Sequence, residues 1–260
     1  MEIDPLLQTH CKRLRLPTFA HNYAKLAQEA AQANQPYQQF LLALLEQEVL
    51  QREANQERRR IQAAKFPVLR TLDSFDFSMV PSVNKAKILE LARGDYLAQC
   101  ENILLVGEIG TGKTHLATAL GVAACRQGKR VRFYTAANLV HELTEARDDR
   151  RLLRLQAQLM KQDLIILDEV GFVPFSTQGS QLLFQFCSER YQRGSMILTT
   201  NSEFPRWTEV FGDPQLTGAL LDRITHHCHT PALACGASVI ECHGDSYRFK
   251  QSLKKCHGAT

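Results

Sequence analysis

At 260 residues, 44% hydrophobic and 22% charged, the chain has the balance of one large globular domain, or of a medium domain with an appendage, which argues against wholesale disorder and a fibrous repeat. No run approaches the roughly 18 apolar residues that cross a bilayer, and the opening MEIDPLLQTHCKRLRL lacks the apolar core of a signal peptide, so the expected location is cytoplasmic, with no membrane partner. The formal charge of +4 is too small by itself to speak for or against nucleic acid.

The first 65 or so residues read as helical. Pro17-Thr18 followed by FAHNYAKLAQEAAQAN has the start signal and alanine content of a helix. A second long helix is expected from Pro36. Its Tyr37, Phe40, Leu41, Leu44, Leu45 and Val49 recur at helical spacing and predict one buried stripe. Phe66-Pro67 stops this helix, and TLDSFDFSMVPSV reads as a linker. The expected division is an all-α amino-terminal domain over 1–68 and a larger domain over 69–260.

Beyond residue 70, short apolar runs alternate with helical segments: NILLVG (102–107), VRFY (131–134), LIILD (164–168) and MILTT (196–200). Continuous apolar runs of this length fit strands buried on both faces of a parallel sheet, and the alternation predicts an α/β fold. There is no internal repeat.

Gly107, Glu108, Ile109, Gly110, Thr111, Gly112, Lys113 and Thr114 fit G-x-x-x-x-G-K-[ST], between an apolar strand and the helical HLATALGVAACR that opens at His115. In such a loop the glycines let backbone N–H groups converge on phosphate oxygens, aided by the positive end of the helix. Lys113 is expected to reach the outer phosphates and Thr114 to hold Mg²⁺. LIILDE ends a buried strand in two carboxylates. Asp168 suits the Mg²⁺ side and Glu169 the general base for an attacking water. Together the two motifs predict nucleoside-triphosphate hydrolysis. Asn201 at the end of MILTTN is either an ordinary polar strand end or a partner of the γ-phosphate and water. Arg223 in LLDRI is either one half of a surface ion pair or a finger offered to a neighbouring subunit.

The ordered series GEIGTGKTHLA, RFYTAANLV, LIILDEVGFVPF, MILTTN and LLDRITHHCH, with GDSYRFK near the end, closely resembles the IstB family, AAA+ helper ATPases of insertion-sequence transposition related to the DnaC helicase loaders. The resemblance implies a P-loop AAA+ sheet of about five parallel strands with a short carboxyl-terminal lid. It also implies an ATP-dependent homo-oligomer on double-stranded DNA that recruits and stimulates a cognate transposase. Asn201 then takes a sensor role, and Arg223 serves a site shared between subunits. A replicative helicase loader, and a nucleotide-gated DNA scaffold with negligible hydrolysis, are the alternatives. PALACGASVIEC departs from the family pattern and leaves the last strand unassigned; no second sensor arginine is identified.

Residues 129–161 hold eight Lys/Arg against four acids, and the remainder of the chain holds 23 of each, so the whole excess lies in one segment. Arg147, Arg151 and Arg154 are spaced to share one face of a helix, with Arg150 beside them, and such a stripe suits sequence-independent phosphate contact. Arg58, Arg59 and Arg60 form a second candidate DNA contact. The alternative for both groups is a solvated helix face. Most of the eight cysteines are expected to be free thiols. Four cysteines and five histidines crowd between His226 and His257, but no tight C-x₂-C pair accompanies them, so a zinc site is not expected.

Overall fold

The computed structural model describes residues 4–172, 174–201, 206–230 and 233–242, the strands of the last two stretches by backbone alone up to Val239. The chain divides into two compact units, residues 1–59 and 60–260. The division falls inside the long helix α3, ahead of the Phe66-Pro67 stop.

The first unit is helical: α1 (Pro5–Arg13), α2 (Pro17–Gln32) and most of α3 (Tyr37–Ala64). Asp4 caps α1, its carboxylate accepting from the backbone N–H of Leu6 at 2.7 Å. The start of α2 has no side-chain cap of its own. Glu48 of α3 supplies one, accepting from the N–H groups of Thr18 at 2.8 Å and Phe19 at 3.0 Å, while Arg52 donates to its other oxygen at 2.9 Å. Burial alone would raise the Glu48 pKa, but the hydrogen bonds from Phe19, Arg52 and Thr18 outweigh it and hold the carboxyl below its usual range.

The expected buried stripe of α3 is corrected here. Leu44 is fully buried and Phe40 half-buried, but Tyr37, Leu41, Leu45 and Val49 are exposed. The inward line runs Phe40–Leu44–Glu48, one residue every four; Leu41, Leu45 and Val49 fall to one side of it, whereas Tyr37, the first residue of the helix, is exposed although it shares that face.

In the second unit, α4 (Lys85–Leu91) and α5 (Asp95–Ala98) precede β1 (Asn102–Gly107), α6 (Lys113–Arg126), β2 (Val131–Thr135), α7 (Ala136–Asp148), α8 (Leu152–Leu159), β3 (Leu164–Asp168), α9 (Thr177–Arg190), β4 (Ser195–Thr200), α10 (Trp207–Phe211), α11 (Pro214–Thr225), β5 (His226–Thr230) and β6 (Leu233–Cys242). The sheet order is β2-β3-β4-β1-β6-β5. Five strands are parallel and β5 is antiparallel to β6. The strand left unassigned by the sequence is β6, paired with β1 from Asn102–Ala237 to Gly107–Cys242. Its small residues hide the apolar signature that marks the other four.

Both faces of the sheet are covered. Ile103, Leu105, Ile166 and Ile197 enter one core with α6 and the 66–98 segment. Leu104, Ile165, Leu167 and Leu198 enter the other with α7, α9 and α11. Alternate residues thus face opposite cores, and each fully buried aliphatic side chain contributes about 1.5–3 kcal/mol. At the start of β1, buried Asn102 accepts from the Met196 N–H at 2.9 Å and donates to the Ile224 carbonyl at 3.3 Å. That bond ties the end of α11, and so the position of Arg223, to the centre of the sheet.

Candidate nucleotide site

At the carboxyl edge of β1 the chain turns through residues 108–112 into α6. Gly107 lies so close to β6 that a Cβ would stand 2.0 Å from the Cys242 carbonyl oxygen. Gly112 caps α6 at φ 91°, a left-handed conformation open to glycine. The Lys113 ammonium is buried against the loop, donating to the carbonyls of Gly107 at 2.7 Å and Glu108 at 2.5 Å.

Thr114 and Asp168 converge from different elements, the threonine hydroxyl donating to Asp168 Oδ1 at 3.0 Å. Glu169 follows directly, with φ 61°. A cavity of about 370 Å³ opens over this edge, with Gly110, Lys113, Thr114, Asp168 and Glu169 on its wall. Beside it lies a smaller recess of about 70 Å³, where Lys113, Thr114, Glu169, Thr199 and Asn201 meet. Asn201 Oδ1 is buried and has no hydrogen-bond partner among the described residues, an acceptor suited to a ligand or water. The fold therefore brings together the loop, both carboxylates and Asn201.

Arg223 lies elsewhere. It does not line the nucleotide cavity of its own chain. Its guanidinium stacks over Phe184 at 4.9 Å and donates to the Ala219 carbonyl at 3.3 Å.

His115 lines the same cavity and also holds the segment that precedes β1. Its Nε2 is 3.1 Å from the Thr71 carbonyl and 3.2 Å from Ser74 Oγ. It thus pins the 71–75 segment to the start of α6. Burial lowers its pKa, the Thr71 hydrogen bond opposes this, and the Arg70 charge lowers it further. Val68, Arg70 and Phe133 also line the cavity. Phe133 comes from β2 itself, whereas no motif marks Val68 and Arg70, which reach the cavity wall through the fold of the chain after α3.

The basic segment is not one helix. Arg147 lies in the last turn of α7, Arg151 precedes α8, and Arg150 between them has φ 58°. The expected single face for Arg147, Arg151 and Arg154 is therefore broken. Arg147 pairs with Asp148 at 2.7 Å, and Arg151 pairs with Asp149. Arg151 and Arg154 instead share a cleft of about 700 Å³ with Lys65, Arg132, Glu142 and Glu145. Arg58 and Arg59 are exposed, whereas Arg60 donates to the Cys125 carbonyl at 2.8 Å, a bond that docks the end of α3 on α6. Cys11, Cys100, Cys125, Cys187 and Cys242 form no disulfide among the described residues. His243, Cys256 and His257, like GDSYRFK, lie outside the described residues, as do the side chains of His226, His227, Cys228, His229 and Cys235.

A family model described as IstB-like ATP binding protein matches residues 9–255. The chain belongs to this family. It is 34% identical over 245 residues to the protein named as the ATP-binding protein of insertion sequence IS5376 from Geobacillus stearothermophilus, covering 94% of each. It is 36% identical over 248 residues to the IS21 counterpart of Pseudomonas aeruginosa, covering 95% of this chain and 90% of the relative. Among solved structures, the replication initiator DnaA bound to AMPPCP and single-stranded DNA aligns with a TM-score of 0.55 at 21% identity, over 74% of this chain and 57% of that one. The likeness establishes a shared P-loop AAA+ fold. No helix among the described residues is long and apolar enough to cross a membrane.

Proposed function

We propose that this IstB-family protein hydrolyses ATP while assembled on double-stranded DNA, and that the assembly recruits and stimulates the transposase of its insertion sequence. The observation that carries the hydrolytic part is the recess where Lys113, Thr114, Glu169 and Asn201 meet, beside the Thr114–Asp168 hydrogen bond.

The phosphates of ATP fit the loop 107–112, with Lys113 leaving its carbonyl partners to meet them. Thr114 and Asp168 suit Mg²⁺: a hydroxyl and a carboxylate already in contact are hard oxygen donors of the right kind. The ion, when bound, neutralises charge on the outer phosphates. Glu169 removes a proton from water as its oxygen attacks the γ-phosphorus and the bond to the β-phosphate oxygen breaks, giving ADP and phosphate. Asn201, with its orphaned amide oxygen, orients that water. Because Arg223 lies away from its own chain's cavity, its finger role is assigned to the site of an adjacent subunit.

For DNA, Arg150 and Arg154 with Arg147 and Arg151 form one phosphate-contacting cluster, and Arg58 and Arg59 a second. Arg60 is engaged with Cys125 and is the weakest member of that set. The names of the insertion-sequence relatives favour transposition over helicase loading.

The deciding experiment measures ATP turnover by wild type and Glu169→Gln, each with and without duplex DNA. Glu169→Gln should lower turnover by about 10²–10⁴-fold while retaining ATP and DNA. A wild type that binds ATP and DNA without turnover would favour the scaffold reading. Stimulation of a replicative helicase instead of the transposase would favour the loader.

A further inference from the structure

Thr199, near the end of β4 within MILTTN, was given no role by the sequence, yet its side chain touches both Asp168 and the backbone of Glu169. It is almost completely buried. The Cα register between β3 and β4 ends at Leu167–Leu198, and Thr199 takes over beyond it with three hydrogen bonds to three consecutive residues. Its hydroxyl donates to Asp168 Oδ1 at 2.5 Å and accepts from the Glu169 N–H at 2.9 Å. Its carbonyl accepts from the Val170 N–H at 2.9 Å.

The middle bond matters most. Glu169 has φ 61°, a conformation that is costly for a residue with a Cβ and is favoured by local enforcement. The Thr199 hydroxyl supplies that enforcement at the Glu169 amide, and with the same oxygen it orients Asp168. Thr199 also lines the recess, two residues before Asn201.

We propose that Thr199 is a positioning residue for ATP hydrolysis, its hydroxyl fixing the Asp168–Glu169 peptide so that Glu169 faces the recess shared with Lys113 and Asn201. This rests on the hydrolytic reading above. Thr199 acts through Asp168 and Glu169; the phosphate contacts belong to Lys113 and the loop.

The test compares Thr199→Val, which keeps the branched shape and loses the hydroxyl, with Thr199→Ser, which keeps the hydroxyl. Three measurements are made on the full chain: ATP turnover with duplex DNA, nucleotide affinity, and hydrogen exchange over residues 164–172 without nucleotide. Thr199→Val should lower kcat by about 10–100-fold, the scale of a small misplacement of a reacting group, with KM for ATP changed by less than about threefold. Thr199→Ser should recover most of that loss. Exchange at the Glu169 amide should accelerate in the valine variant and remain near wild type in the serine variant. Wild-type kcat in Thr199→Val, equal impairment in both variants, or unchanged exchange would each overturn the proposal. A loss of packing alone would lower the melting temperature and raise KM along with the fall in kcat. Absence of turnover in wild type itself would defeat the hydrolytic reading and the kinetic role with it; the exchange comparison would still decide whether the hydroxyl holds this peptide.

Discussion

Thr114 Oγ1 lies 3.0 Å from Asp168 Oδ1, joining the first turn of α6 to the last residue of β3 across 54 positions of sequence. The hydrogen bond brings together the hydroxyl and the carboxylate proposed above to hold Mg²⁺. Thr114→Ala should raise the Mg²⁺ concentration for half-maximal turnover by about tenfold or more, with little effect on nucleotide binding measured without Mg²⁺. An unchanged Mg²⁺ titration would remove Thr114 from the metal site.

Arg223 offers a test of shared sites. Arg223→Ala should lower turnover by about 10³-fold, and Glu169→Gln should do so for a different reason. Mixing the two variants should restore part of the activity, since an Arg223→Ala subunit keeps Glu169 and a Glu169→Gln neighbour supplies Arg223. No recovery in a mixture shown to co-assemble would count against a finger acting between subunits.

The basic segment and Arg60 should separate cleanly. Replacing Arg147, Arg151 and Arg154 together by Gln should weaken duplex binding and flatten its log–log salt dependence by up to about 2.7, at roughly 0.9 per lost phosphate contact, with ATP affinity unchanged. Arg60→Ala should act chiefly on stability, by about 0.5–1.5 kcal/mol for the lost bond to Cys125. A flattened salt slope without destabilisation in Arg60→Ala would reverse that assignment.

Glu48 makes the stability of the helical unit acid-sensitive. Its folded pKa lies below its ordinary value of 4.5, so its contribution is present above about that pH and is lost as pH falls through the folded pKa. Glu48→Gln should destabilise the wild-type fold at pH 7 by about 1–3 kcal/mol, and the difference should shrink in acid. Thermal melts across pH 3–7 measure this; a pH-independent difference would contradict the charge-based account.

His115 carries the same sign for a different reason. Its folded pKa is lowered from 6.5, first by burial, so the unfolded chain takes up the proton more readily. Stability from the neutral ring is full above about 6.5 and declines as pH falls below it. His115→Asn should weaken this step in melts between pH 5 and 8, and an unaltered step would assign it to another histidine.

Much of this protein was legible in the order of its residues. Local rules suffice for the four apolar strands, the phosphate loop and the carboxylates at the end of LIILD, because each is a contiguous pattern whose chemistry depends on near neighbours. The strand β6 escaped, since its Ala, Gly and Ser residues carry little hydrophobic signal and it is made a strand by pairing with β1. Tertiary packing decided the rest. Which apolar residues of α3 face inward depends on where α2 lies, and Glu48 becomes a helix cap only across 30 residues. Arg150 turns the chain between α7 and α8, so three arginines at helical spacing do not share a helix face. Thr199 acquires its role because β4 lies beside β3. A hydroxyl's partners, 30 and 31 residues away, are a property of sheet order, which spacing along the chain does not encode.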